Sequence, residues 1–233
     1  MTRAVGGRPA KIAVEDIVRV GRELGMRQLS VKAVASGLGV SSTALYRHVE
    51  GRWGLERLIG ESILAELRLH DDPEHDAPRH LLSFAMQMRS FALRHPGLVG
   101  YLQLLFPRGE SGQRLLAVEV EALGRRGYAP DAAIALSSSV ASLTIAMTAS
   151  EENSAAAEVA DAGGLARERE AVVDRLANDD RLGSAPSTLP QIERPEYVRL
   201  LLTASIKGLV EVCPPGRPVT EMIAELAAAG AGV

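Results

Sequence analysis

Ser41, Ser42, Thr43, Tyr46, Arg47 and His48 fall within one short stretch of this 233-residue chain. Hydroxyls of this kind meet base edges or phosphate oxygens, a guanidinium takes a guanine or a backbone oxygen, and the methyl of Ala44 can pack on that of thymine. This is the chemistry of duplex recognition. The flanking residues supply the elements needed to present it. Val31, Val34, Ala35 and Leu38 recur at i, i+3, i+4 and i+7, which gives one apolar helix face. Gly37 and Gly39 break that helix, and glycine turns with φ > 0 without steric cost. Ser41 and Ser42 can cap the next helix, with Ala44, Leu45 and Val49 inward and Ser42, Thr43, Tyr46 and Arg47 outward. A preceding amphipathic helix (Val14, Ile17, Val18, Gly21, Leu24) ends at Gly25 and completes a three-helix unit. The alternative is an ordinary helical hairpin within a core, since any two short amphipathic helices around a glycine turn share this pattern.

The segment from Lys11 to Leu58 resembles the DNA-binding domain of the TetR family of one-component transcriptional regulators. The resemblance rests on the run Leu38-Gly39-Val40-Ser41-Ser42-Thr43-Ala44-Leu45-Tyr46-Arg47-His48-Val49 and on Arg52, a basic residue six positions after the tyrosine. It covers about a fifth of the chain. The remainder is similar to the family's helical sensor domain in layout, with local likeness to the tetracycline-repressor branch at Arg94-His95-Pro96-Gly97 and Arg126-Gly127-Tyr128-Ala129-Pro130. The resemblance implies that Lys32 occupies a DNA-contacting position. Tyr46, His48 and Arg52 are expected on phosphate, Arg52 beside a helix N-terminus that favours anions. For His48 a structural hydrogen bond within the head is an equal alternative.

Charge supports a division of labour. From Met1 to Leu58 there are ten Lys/Arg against five Asp/Glu, whereas the whole chain carries 26 against 29, so a basic head sits on an acidic body. Residues 1–12 form a basic arm in which Arg3, Arg8 and Lys11 suit the negative potential of a minor groove. A terminus without a specific role is an equal alternative. The expected divisions are therefore the arm at 1–12, a helix-turn-helix domain at 13–58 and an effector-binding and dimerisation domain at 59–233.

Apolar residues make up 46% and charged ones 24%, ordinary for a globular chain. Serines and threonines interrupt the Ala-rich segment 132–149, so no membrane span is expected. The N-terminus has no hydrophobic core of a signal peptide, which points to the cytoplasm. The single cysteine, Cys213, precludes an internal disulfide and reads as a packed apolar residue. The run from His70 to Asp76, with His80 beyond it, holds metal-ligand residue types, but its acids and prolines read as a solvated linker marking the domain seam. There is no Ser/His/Asp constellation, no phosphate-binding glycine loop and no HExxH pattern, so neither enzymatic activity nor a cofactor is expected.

Helices are expected at 52–69, 79–95, 97–106, 110–126, 130–150, 164–178, 194–213 and 218–229, with loops at 151–164 and 179–193. Trp53, Leu55, Leu58, Ile59, Ile63, Leu64 and Leu67 should tie head to body. Segment 130–150 is apolar or small on nearly every side and reads as buried all round. Segment 194–213 carries more apolar surface than one core absorbs. The resemblance makes these late helices candidates for a two-fold interface, with simple core as the alternative. Phe84, Gln87, Met88, Phe91, Tyr101 and Gln103 could line an effector pocket that is apolar with a few polar fixing points, although residues at such helical spacing are more often plain core. No histidine set matches the magnesium–drug chelate of the tetracycline branch, so the expected effector is another apolar or amphipathic small molecule.

The expectation is an all-α chain in which a three-helix DNA-binding head joins a larger helical body. Such a chain would act as a homodimeric, ligand-responsive repressor that binds a palindromic operator. The rivals are an activator of the same fold, and a ligand-binding or scaffold protein whose head binds a protein partner.

Overall fold

The computed structural model describes residues 12–107, 109–161, 163–185 and 192–231. Every regular element among them is an α-helix: α1 (Val14–Leu24), α2 (Val31–Gly37), α3 (Ser42–Leu45), α4 (Gly51–Leu64), α5 (Ala77–Arg94), α6 (Leu98–Leu105), α7 (Glu110–Gly124), α8 (Pro130–Ala160), α9 (Gly164–Ala177), α10 (Arg194–Val212) and α11 (Val219–Gly230). The chain divides into two compact units, residues 1–67 with 95–113 and residues 68–94 with 114–233. The expected division at 58/59 falls inside the unbroken α4, and α6 belongs to the first unit.

In the first unit α1 packs on α2 and α4, α2 on α3, and α4 on α6. Its core is Ile17, Val20, Val34, Ala35, Leu45, Leu55, Ile59 and Leu64, all 5% exposed or less. The expected face of α2 is confirmed at Val34 and Ala35, with Val31 and Leu38 half-buried. Two glycines permit close helix packing. A Cβ on Gly21 would lie 2.5 Å from Ile59 Cδ1, and one on Gly37 would lie 2.7 Å from Val20 Cγ1. Gly37 thus serves contact and stays helical, whereas the turn belongs to Gly39, whose φ is 67°.

In the second unit α5, α8 and α10 pack on one another, and α8 also meets α9 and α11. α5 buries Leu81, Phe84, Ala85, Met88, Phe91 and Ala92, and α10 buries Val198, Leu202 and Ile206. Helix α8 runs ten residues past its expected end, through the segment expected to be a loop. Ala155, Ala156, Ala157 and Ala160 lack large apolar side chains yet are the strongest helix formers. By length and composition α8 could cross a membrane, and 56% of its most apolar window is buried inside the fold. Its buried hydroxyls at Thr144 and Thr148 are satisfied within the helix, Thr144 Oγ1 donating to the Val140 carbonyl and Thr148 Oγ1 to that of Thr144, each at 2.7 Å. Nor is it buried all round, because Ile134, Ser138, Ser142 and Ala146 form an exposed stripe at i, i+4, i+8 and i+12.

Candidate nucleic-acid interface

The recognition segment is built from two serine caps around one left-handed glycine. Ser30 Oγ accepts the Ala33 N–H at 3.1 Å and starts α2. After Gly39 turns the chain, Ser41 Oγ accepts the Ala44 N–H at 3.2 Å and starts α3. The regular helix is only four residues long, but its winding continues, because the His48 N–H donates to the Leu45 carbonyl at 2.9 Å and that of Val49 to the same oxygen at 3.2 Å. Leu45 (0% exposed) and Val49 (6%) anchor this turn in the core. Opposite them Thr43, Tyr46, Arg47 and His48 are exposed, with Ser42 and Ala44 half-buried at the edge. Ser42 is therefore less outward than its type suggests, since its neighbour Ser41 takes the capping position.

Lys32 is exposed on α2, and Arg52 is exposed in the first turn of α4. Arg52 Nε donates to Glu56 Oε1 at 2.6 Å, and its guanidinium carbon lies 5.5 Å from the centre of the Trp53 ring. The Glu56 hydrogen bond and charge raise Arg52 above its ordinary value, so the cation persists. Trp53 was expected to tie head to body and is instead 52% exposed. Its position in the first helical turn leaves the ring outside the packing that α4 begins at Leu55. Arg3, Arg8 and Lys11 lie outside the described residues.

Beneath the recognition segment the first unit holds a cleft of 690 Å³, walled by Val14, Val18, His48, Arg57 and Glu61. Glu61 is its fixed point. Its carboxylate accepts the Tyr101 hydroxyl at 2.7 Å and the Ser111 N–H at 2.8 Å, and its carbonyl accepts the Ser111 hydroxyl at 3.1 Å. No local motif marks this cleft, because the residues that meet at Glu61 come from positions 40 and 50 further along the chain.

The expected pocket residues separate. Phe84, Met88 and Phe91 are buried on α5 in the second unit. Gln87 Oε1 accepts the His70 N–H at 2.8 Å, and its Nε2 donates to the His70 carbonyl at 2.9 Å. Tyr101 and the exposed Gln103 are on α6 in the first unit.

The run from His70 to Asp76 is only in part a solvated linker: His70, Pro73, Glu74 and Asp76 are exposed, whereas Asp71, Asp72 and His75 are half-buried. Asp71 accepts from Arg126 Nη2 at 2.7 Å and Arg125 Nη2 at 2.6 Å, while Arg126 also donates to the carbonyls of Asp72 and His75. His80, 2% exposed, sets Nε2 3.0 Å from Glu119 Oε2. Its Nδ1 lies 2.9 Å from Asp71 Oδ1, off the hydrogen-bond line. Burial pushes the Asp71 carboxyl up, but hydrogen bonds from Arg126 and Arg125 outweigh it and hold the group well below the carboxylate range.

Solved structures share this fold. ActR from Streptomyces coelicolor, described as a TetR family protein, superposes in its apo form with a TM-score of 0.72 at 16% identity, covering 89% of this chain and 100% of its own. ActR in complex with actinorhodin gives 0.72 at 18% identity over 86% and 96%. A substituted TetR from Acinetobacter baumannii AYE in complex with minocycline gives 0.63 at 19% identity over 88% and 94%. The fold is that of the TetR-family regulators. At these identities the likeness is one of fold, and no family model and no curated protein matches the sequence. Within this TetR-like fold the first unit carries the helix-turn-helix, and the second carries the long α8 and α10 with their open faces.

Proposed function

We propose that this chain is a ligand-responsive transcriptional repressor that binds a palindromic operator as a homodimer and leaves it when a small molecule occupies the second unit. The observation that carries the reading is the capped turn at α3, which anchors Leu45 and presents Thr43, Tyr46, Arg47 and His48 together to solvent. A short helix so braced fits a major groove, with Thr43 and Arg47 at base edges, Ala44 and Ser42 at the margin, and Tyr46, His48, Lys32 and Arg52 on phosphate.

A single short recognition element supplies little affinity, so two heads ~34–36 Å apart on one DNA face are needed. The stripes of small and apolar residues left open on α8 and α10 support pairing of two copies. Release follows if the effector prefers a body conformation that holds the heads at the wrong separation. Phe84, Met88 and Phe91 favour an apolar or amphipathic effector, in keeping with the actinorhodin and minocycline bound by ActR and TetR. The chain is proposed to act in the cytoplasm, where its operator is.

The test is binding of the purified protein to the DNA flanking its coding region, against a scrambled duplex, at two salt concentrations. The reading expects selective binding that weakens with salt, with two subunits per site. Equal weak binding to both duplexes, followed by selection from random duplexes that enriches no palindrome, would sink it.

A further inference from the structure

Trp53 is the only tryptophan of the chain, and it stands 52% exposed in the first turn of α4. An indole so placed leaves a large apolar face in water, and nothing in the packing of the first unit needs it there. Its setting is chemically specific. Arg52 lies over the ring at 5.5 Å and is also held by Glu56, so the guanidinium is fixed by two neighbours before any partner arrives. Glu56 takes Nε, and no described hydrogen bond uses the two terminal amino groups. Arg47 and His48, both exposed, lie only a few residues upstream.

We propose that Trp53 and Arg52 form one composite clamp on the DNA backbone beside the groove entered by α3. The ring face holds the guanidinium in place for one phosphate, and the indole N–H donates to a phosphate oxygen. The occupant is duplex DNA because the charge of this part of the chain suits it: the first 58 residues carry twice as many bases as acids, and Arg47 and Arg52 stand exposed within the seven residues that end at Trp53. The indole has one donor and no acceptor, so it can satisfy a phosphate without discriminating among bases. This inference rests on the DNA-binding reading and adds to it a contact that sets affinity and not sequence preference.

The sole tryptophan makes the test direct. The full-length protein is titrated, with tryptophan alone excited, against the duplex enriched by selection from a random pool and against its scrambled counterpart. A mobility assay follows binding independently. The expected result is a change in Trp53 emission that saturates with binding. Trp53→Phe should weaken both duplexes by about tenfold, the loss of one hydrogen bond to a charged group, with an unchanged salt slope. Trp53→Ala should weaken them further because Arg52 loses its support. Arg52→Gln should lower the salt slope by about one. Circular dichroism checks the fold of each variant, and the Phe variant stands in should the Ala variant fail to fold.

Binding in the mobility assay with unchanged emission, and with wild-type affinity in Trp53→Phe, would overturn the clamp while leaving the DNA-binding reading intact. Emission that changes with protein concentration alone, and not with duplex, would place Trp53 between copies of the chain and overturn it as well. If no duplex is enriched or bound, the clamp falls together with the reading beneath it.

Discussion

The ring of Tyr101 occupies the space that a side chain on Gly60 would need. A Cβ built on Gly60 falls 2.7 Å from Cδ1 and 2.8 Å from Cε1 and Cγ of that ring, while the hydroxyl reaches past it to Glu61. Burial, then the hydrogen bond to Glu61, raise Tyr101 above its ordinary value, so the phenol remains a donor. Gly60→Ala in a helix interior would ordinarily gain up to ~1 kcal/mol. Here the methyl must displace a buried ring, and a net loss of about 1–3 kcal/mol is expected. The urea midpoint decides the sign, and a rise would show that α6 shifts freely against α4.

The buried cluster of Asp71, His80, Glu119 and Arg126 predicts a sensitivity to acid. The folded-state carboxyl of Asp71 titrates below its unfolded value of about 3.9. Its contribution is therefore fully present above that value and is lost as pH falls through the depressed folded value. Asp71→Asn should cost roughly 3 kcal/mol near pH 7, because it leaves Arg126 buried without its counter-charge. The gap from wild type should narrow only below about pH 4. Denaturant unfolding at neutral pH and at a series of acid values measures it, and a gap that stays constant into strong acid would assign the loss to packing.

On the DNA side, single substitutions sort base contacts from backbone contacts. Thr43→Ala is expected to cost about 1–3 kcal/mol at one position of the site and little elsewhere. His48→Ala should weaken all duplexes alike, as a lost phosphate contact does. Binding across duplexes with single-base changes separates the two patterns. A uniform loss for Thr43→Ala would move that hydroxyl from base edge to phosphate.

Local chemistry is what the sequence expressed well. The apolar spacing at Val34, Ala35 and Leu45 and the capping serine at 41 announced the helix-turn-helix, because caps and periodicity act within a few residues. Contacts between distant segments left no such trace. Gly37 and Gly39 look alike in the chain, yet one makes room for Val20 and the other turns with positive φ. Asp71 and His80 resembled a solvated linker until Arg126 and Glu119, 55 and 39 residues further on, closed on them. The alanines of α8 hid ten helical residues, since a helix with no large apolar side chain has no hydrophobic period to detect.

Pairing through α10 can be tested by charge. Tyr197, Leu201, Ala204 and Gly208 form an exposed stripe at i, i+4, i+7 and i+11, and Val198, Leu202 and Ile206 fill the core behind it. Small residues at one end and large ones at the other let two such helices approach closely. Leu201→Arg should leave folding intact, since the side chain is 39% exposed, but it places a charge within any symmetric contact, where each copy meets the same group on the other. Sedimentation at several concentrations should then show a monomer, where the proposed pairing expects a dimer of the wild-type chain. Affinity for a palindromic duplex should fall with it, because two heads no longer arrive together. The neighbouring Leu202→Arg serves as the contrast. It faces the core, and its expected effect is unfolding and not dissociation. A Leu201→Arg protein that remains dimeric would move the interface to another face, the open stripe of Ile134 and Ser142 on α8 being next to test.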